Sequence, residues 1–219
     1  MNVFVIGAHG HVGHTTALKL VNKGNHVMAG VRNESEFTSL PKSKLITPIK
    51  FDLTKSIQDM TRIFKDNHVD AVIFSAGAGG GVSPETTLKV DLDGAVKSIK
   101  AAKNAGITRY LMVSAAGSDN RKVWNTKFGN FPMYTYYLSK HYADLYLHNS
   151  GLNYTILHPV ALSNHAETNK IQLNPKDLTK ASVSRADVAN VLVETLSNPK
   201  TYKKDYTFSS GPVSITKAF

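Results

Sequence analysis

The 219-residue chain is 42% hydrophobic, contains no cysteine, and sets 26 basic against 16 acidic residues for a formal net charge of +10. Lack of cysteine excludes thiol nucleophiles, cysteine zinc sites and disulfides, leaving the chemistry to oxygen, nitrogen or a cofactor. No apolar run is long enough to span a membrane, and basic residues are dispersed, with no like-charge run longer than a pair such as Lys203-Lys204; both features argue against membrane and nucleic-acid partners.

The N-terminal apolar run is short and lacks a basic leader, so the expectation is a soluble, cytoplasmic protein. The length suits one α/β domain over residues 1–219, with no Pro/Ser-rich linker dividing it. The nine histidines show no H-E-x-x-H pair or other ligand spacing, so no metal site is expected.

In chain order, Val3-Phe4-Val5-Ile6 predicts a buried strand that stops at Gly7. Gly7-Ala8-His9-Gly10-His11-Val12-Gly13 then spaces glycines three apart ahead of a helical stretch, Thr15 to Asn22. A tight turn needs backbone freedom and close approach needs a missing Cβ. A helix start adds free N–H groups and the positive end of a dipole, which together suit a pyrophosphate. The spacing G-x-x-G-x-x-G departs from the usual G-x-G-x-x-G, but a second strand, His26 to Val31, follows at βαβ distance. Arg32 ends that strand where an acidic residue would select a free ribose 2′-hydroxyl. A guanidinium there favours a 2′-phosphate and hence NADP(H) over NAD(H). Glu34 nearby, and the reading of Arg32 as a solvated surface residue, keep NAD(H) open.

Ile46 to Phe51 predicts a third strand, Ser56 to Lys65 a helix, and Val69 to Phe74 a fourth strand running into Ser75-Ala76-Gly77. Strands alternating with helices indicate a doubly wound parallel sheet, whose ligands bind outside the carboxyl ends of the strands. Asp52 and Ser75 to Gly77 therefore fall at the cleft. The glycine cluster through Gly81 reads either as a flexible connection or as part of that cleft. A helix from about Pro84 to Asn104 ends at Gly106, and Arg109 to Ser114 forms strand five. Beyond a polar loop with Trp124 and Gly129, a helix runs from Met133 to Asn149. Tyr136 and Lys140 share one face of it, so the ammonium can ease loss of the phenolic proton. Tyr136 alone among nine tyrosines has lysine at this spacing, although about one such pair is expected by chance. Tyr154 to Pro159 gives strand six, residues 160–180 a long, mostly polar insertion on the substrate side, Arg185 to about Leu196 a helix, and Tyr206 to Ser209 a last short strand.

With the glycine turn, Asp52-Leu53, Ser75-Ala76-Gly77, Ser114 and Tyr136-x-x-x-Lys140 in this order, the chain resembles the atypical short-chain dehydrogenases/reductases, and more narrowly the NAD(P)H-binding, NmrA-like single-domain group. Val90-Asp91-Leu92-Asp93-Gly94, Gly151 to Ile156 and Ser184 to Ala189 also look like recurring stretches of that group. The resemblance implies an NAD(P)-binding Rossmann fold. It places Gly7, Gly10 and Gly13, with the intervening His9, His11 and Val12, at the pyrophosphate, and Arg32 at the 2′-phosphate. Asp52 and Leu53 fall at the adenine, Ser75, Ala76 and Gly77 at the ribose region, and Pro159 and Val160 beside the nicotinamide. It further implies that Ser114 polarises a carbonyl, Tyr136 donates a proton as hydride arrives, and Lys140 binds the nicotinamide ribose while lowering the tyrosine pKa. His158-Pro159-Val160 departs from the group's Arg-Pro-Gly-like turn.

The leading expectation is an NADPH-preferring oxidoreductase acting on a small carbonyl or quinone-like acceptor. A regulator that senses NADP(H) is the rival. A sugar-nucleotide epimerase or dehydratase ranks third, since 219 residues leave little room for a large substrate region. The subunit count is not legible.

Overall fold

The computed structural model describes residues 1–122, 124 and 131–219; Gly129, placed in the predicted polar loop, lies outside them. The chain opens with β1 (Asn2–Ile6), α1 (His11–Asn22), β2 (His26–Val31), β3 (Ile46–Lys50), α2 (Ile57–Asp66) and β4 (Ala71–Phe74). A short helix, α3 (Pro84–Thr87), passes through a π-helical turn over Leu88–Gly94 into α4 (Ala95–Asn104), followed by β5 (Arg109–Val113) and α5 (Phe131–His148). The remainder is β6 (Asn153–Pro159), β7 (Ala161–Ser163), β8 (Lys170–Leu173), β9 (Ser182–Ser184), α6 (Arg185–Leu196), β10 (Lys204–Ser210), β11 (Val213–Ser214) and α7 (Ile215–Ala218).

Nine strands form one sheet in the order β3-β2-β1-β4-β5-β6-β10-β8-β11. From β3 to β10 every pairing is parallel, whereas β8 runs antiparallel to both β10 and β11. The order reverses between β1 and β4, and in such a sheet that switch point opens a crevice at the carboxyl ends of the strands.

Period-2 alternation along buried strands divides the core into two layers. Val3 and Val5 face a layer that includes Leu20 of α1 and Val188, Val191 and Leu192 of α6. Phe4 and Ile6 face the opposite layer, with Met60 and Phe64 of α2, Ile99 of α4, and Ala143 and Leu147 of α5. Among the described residues no helix is long and apolar enough to cross a membrane.

Several elements differ from the sequence expectation. The polar insertion at 160–180 carries β7 and β8, and β8 extends the central sheet with only Ile171 fully buried. Asn169 and Asn174, at φ +56° and +51°, flank β8, and asparagine tolerates this left-handed backbone better than most residues. The helix predicted from Pro84 to Asn104 is interrupted by the π turn.

Candidate active site and cofactor cleft

Gly7 leaves β1 at φ +83°, and a Cβ built there would lie 2.8 Å from the backbone of Ala76. Its amide and that of Ala8 both donate to the Gly30 carbonyl, at 3.0 and 3.1 Å, tying the turn to β2. A Cβ at Gly13 would collide with the Gly7 carbonyl and sit 2.8 Å from Ser75 Oγ. Gly7 and Gly13 therefore let strand, helix and neighbouring loop close on one another. Gly10 differs: the nearest atom to a Cβ there is Gly7 O at 3.4 Å, so what it leaves empty is the cleft itself.

Gly10 is also the N-cap of α1, in extended conformation, with no side-chain cap and no acidic residue in the first turn. By contrast Ser56 caps α2 and Ser184 caps α6, each with an aspartate in the first turn. The first amides of α1 thus carry no side-chain acceptor, and their partial positive charge faces open space. A cradle without Cβ atoms beneath an uncapped helix start fits the pyrophosphate of a dinucleotide.

Over this turn lies a cleft of about 500 Å³. It brings Gly10, His11, Val12, Ser75, Ala76 and Gly77 together with Ser114, Tyr136 and Lys140. The other anticipated residues lie outside its lining. His9 is exposed and its Nδ1 is 2.8 Å from Ser39 Oγ. Arg32 is exposed just past β2, and Glu34 is paired with Lys50 at 3.3 Å. Asp52 accepts from the Thr54 amide and hydroxyl, both at 2.8 Å. Partial burial works against the Asp52 carboxylate, but these bonds and the charges of Lys55 and Arg32 outweigh it and hold its pKa below the usual range. Leu53 is buried against Gly94. Pro159 and Val160 are buried, the Pro159 carbonyl accepting from Ala116 N and the Val160 amide donating to Phe208 O.

The charge arrangement around Tyr136 starts from the π turn. That turn buries Asp91, whose Oδ2 accepts from Ala78 N at 2.9 Å and whose Oδ1 lies 2.9 Å from Lys140 Nζ. Burial opposes the Lys140 charge, yet Asp91 outweighs it, aided by Tyr136 and Asp144, so the ammonium is held well above its ordinary range. Nζ is 5.6 Å from the centre of the Tyr136 ring. Burial raises the Tyr136 pKa; Lys140 lowers it, but Asp91 and Asp144 raise it again, and the net direction is upward. Lys140 thus acts in the expected direction on the phenol, but burial, with Asp91 and Asp144 behind it, outweighs it. Near neutrality the Tyr136 hydroxyl keeps its proton.

The NAD(P)H-binding family model matches residues 7–199. The chain belongs to this NAD(P)H-binding family. It is 37% identical over 219 residues to the "uncharacterized sugar epimerase YhfK" of Bacillus subtilis, covering 100% of this chain and 98% of that one. It is 35% identical to the UPF0659 protein YMR090W of Saccharomyces cerevisiae, over 96% and 94% of the two chains. Among solved structures, the oxidoreductase YlbE of Lactococcus lactis superposes with a TM-score of 0.88 at 31% identity, covering 100% of this chain and 94% of the other.

Three residues near the cleft were given no site role from sequence. Asp91 is the first. Asp144 is the second: Ser114 Oγ and Ser118 Oγ, each at 2.8 Å, and His158 Nε2 at 3.0 Å all meet its Oδ2. Its Oδ1 is buried and has no hydrogen-bond partner among the described residues. Burial alone would strip His158 of its proton, but the bond and charge of Asp144, with Asp205 and Asp119 behind it, raise its pKa above 6.5. Ser114 lines the cleft and gives its hydrogen to Asp144. His158 faces Asp144 and does not line the cleft. Spacing could have revealed Asp144, since Tyr136, Lys140 and Asp144 recur every four residues on one helix face. The third residue is Arg185, which lines the cleft from the start of α6.

Proposed function

We propose that this chain is an oxidoreductase that prefers NADPH and reduces a small carbonyl or quinone-like acceptor, with Tyr136 as the proton donor. The observation that carries this reading is the convergence of Tyr136, Lys140 and Ser114 on the cleft that the uncapped start of α1 also faces. A bound nicotinamide cofactor supplies the hydride. Gly10, His11 and Val12 would hold its pyrophosphate, with Ser75 to Gly77 along the ribose. Arg32 would pair with the 2′-phosphate, free to do so because Glu34 is engaged by Lys50. On a carbonyl substrate the Tyr136 hydroxyl gives its proton to the substrate oxygen. The Lys140 ammonium, pinned by Asp91, stabilises the phenolate left behind, which regains a proton from solvent. The raised Tyr136 pKa suits this direction, because a donor must hold a proton before it can give one.

The test is NADPH oxidation across a panel of aldehydes, ketones and quinones. Tyr136→Phe is expected to lower kcat for carbonyl substrates by about 10²-fold or more, with cofactor affinity retained. Unchanged turnover of every accepted carbonyl would refute the assigned proton transfer. A second reading, sugar epimerisation, draws support from the name of the Bacillus subtilis relative. It predicts interconversion of a sugar nucleotide without net consumption of cofactor, which the same panel extended with uridine diphosphate sugars detects.

A further inference from the structure

Arg185 is half-buried at the cleft, where its Nη1 donates to Asn164 Oδ1 at 2.8 Å. No carboxylate lies within ion-pair distance of it among the described residues. The nearby acids are engaged elsewhere: Glu167 is bonded to Lys19 and to Asn190 Nδ2, and Asp187 accepts from Ser184 Oγ and from the amides of Thr168 and Asn169. A guanidinium held in place by an amide oxygen, yet not neutralised, is poised for an anion. The cleft that Arg185 lines has an apolar part as well as a polar one. Leu162, brought alongside by the β7–β9 pairing, joins Val82, Val113 and Met133 in the same cleft as Tyr136.

We infer that Arg185 is a specificity-determining residue that binds the carboxylate of the substrate, so that the substrate class is a largely apolar carbonyl compound carrying an acidic group. The inference rests on the oxidoreductase reading for the reaction, but the binding itself can be measured without turnover. Asn164 fixes the direction of the guanidinium, the apolar lining takes the body of the molecule, and the reducible group falls to Tyr136.

The test uses the full chain saturated with NADP⁺ and titrated calorimetrically with 2-naphthoate and with the neutral, nearly isosteric 2-naphthamide. Wild-type protein is expected to bind the carboxylate about tenfold or more tightly than the amide. Arg185→Gln should abolish that preference without changing affinity for the amide or for NADP⁺, and Arg185→Lys should keep part of it. A thermal melt of each variant checks that the fold is retained, and the lysine variant carries the test if the glutamine variant fails to fold. Equal binding of the two probes, binding of neither, or a preference that survives Arg185→Gln would overturn the inference. So would a parallel loss of NADP⁺ affinity, which would assign Arg185 to the cofactor. Absence of turnover with every carbonyl would refute the reaction while leaving this binding result intact.

Discussion

Asp144 and His158 show how one buried carboxylate changes the chemistry of its neighbours. Three donors converge on a single oxygen, and the imidazole among them holds its proton beyond the ordinary range. Because the folded-state pKa of His158 is raised, its contribution to stability is fully present below about 6.5 and is lost as pH climbs through the folded value. Urea midpoints measured from pH 6 to pH 9 should therefore fall with rising pH, and His158→Gln should flatten that part of the profile. An identical profile in the variant would mean that another group titrates. The groups facing the imidazole are Asp144 directly, with Ser114 and Ser118 on the same oxygen, and Asp119 and Asp205 at longer range. Much of this residue-scale arrangement was open to the sequence in principle. Asp144 continues the Tyr136–Lys140 stripe by one turn, whereas Asp91 arrives through tertiary packing that no local spacing announces.

At the scale of elements, the glycine turn separates packing from binding. Gly13→Ala drives a methyl group into the Gly7 carbonyl and toward Ser75, and should destabilise the fold by about 1–3 kcal/mol as an overpacking defect. Gly10→Ala meets no atom closer than 3.4 Å, so it should fold with its melting temperature nearly unchanged while losing affinity for the cofactor. Thermal melts paired with NADP⁺ titration compare the two, and equal effects on stability would contradict the division. Arg109 serves α6 in a different way. Its guanidinium donates to the carbonyls of Thr195 and Leu196 at the end of that helix and to Asn153 O in β6, and it stacks 4.4 Å over the Tyr202 ring. Burial lowers its pKa to about 10, so it stays charged at neutrality. Arg109→Met would take the guanidinium donors from Leu196 O and Asn153 O, while Thr195 O keeps Asn198 N and Thr201 Oγ1, and should cost about 1–3 kcal/mol in urea denaturation; a loss below about 1 kcal/mol would show that water replaces the guanidinium. Strongly patterned elements were legible: β2 and α6 fall on their predicted residues because a continuous apolar run and a Ser-x-x-Asp start announce them. The π turn was not, since what it buries is Asp91 and Gly94 rather than its apolar residues. Nor were β7 to β9 and β11, which are two to four residues long and too short to show a period.

Across the whole molecule, one reversal of strand order creates the crevice, and everything proposed for function is arranged around it. Sheet type and strand sequence followed from alternating strands and helices, because a parallel sheet buried on both faces demands continuous apolar runs. The antiparallel edge formed by β8 and β11 did not follow, because its stability comes from pairing with β10 rather than from its own composition. The net charge of +10 adds a general attraction for anions, in keeping with a polyphosphate cofactor and an acidic substrate. All of these readings depend on the uncapped start of α1 receiving a dinucleotide. The most direct measurement is calorimetric titration of the folded protein with NADP⁺ and NAD⁺, alongside Arg32→Ala. NADP⁺ should bind more tightly than NAD⁺ and the difference should vanish in the variant; failure of both nucleotides to bind would contradict the account.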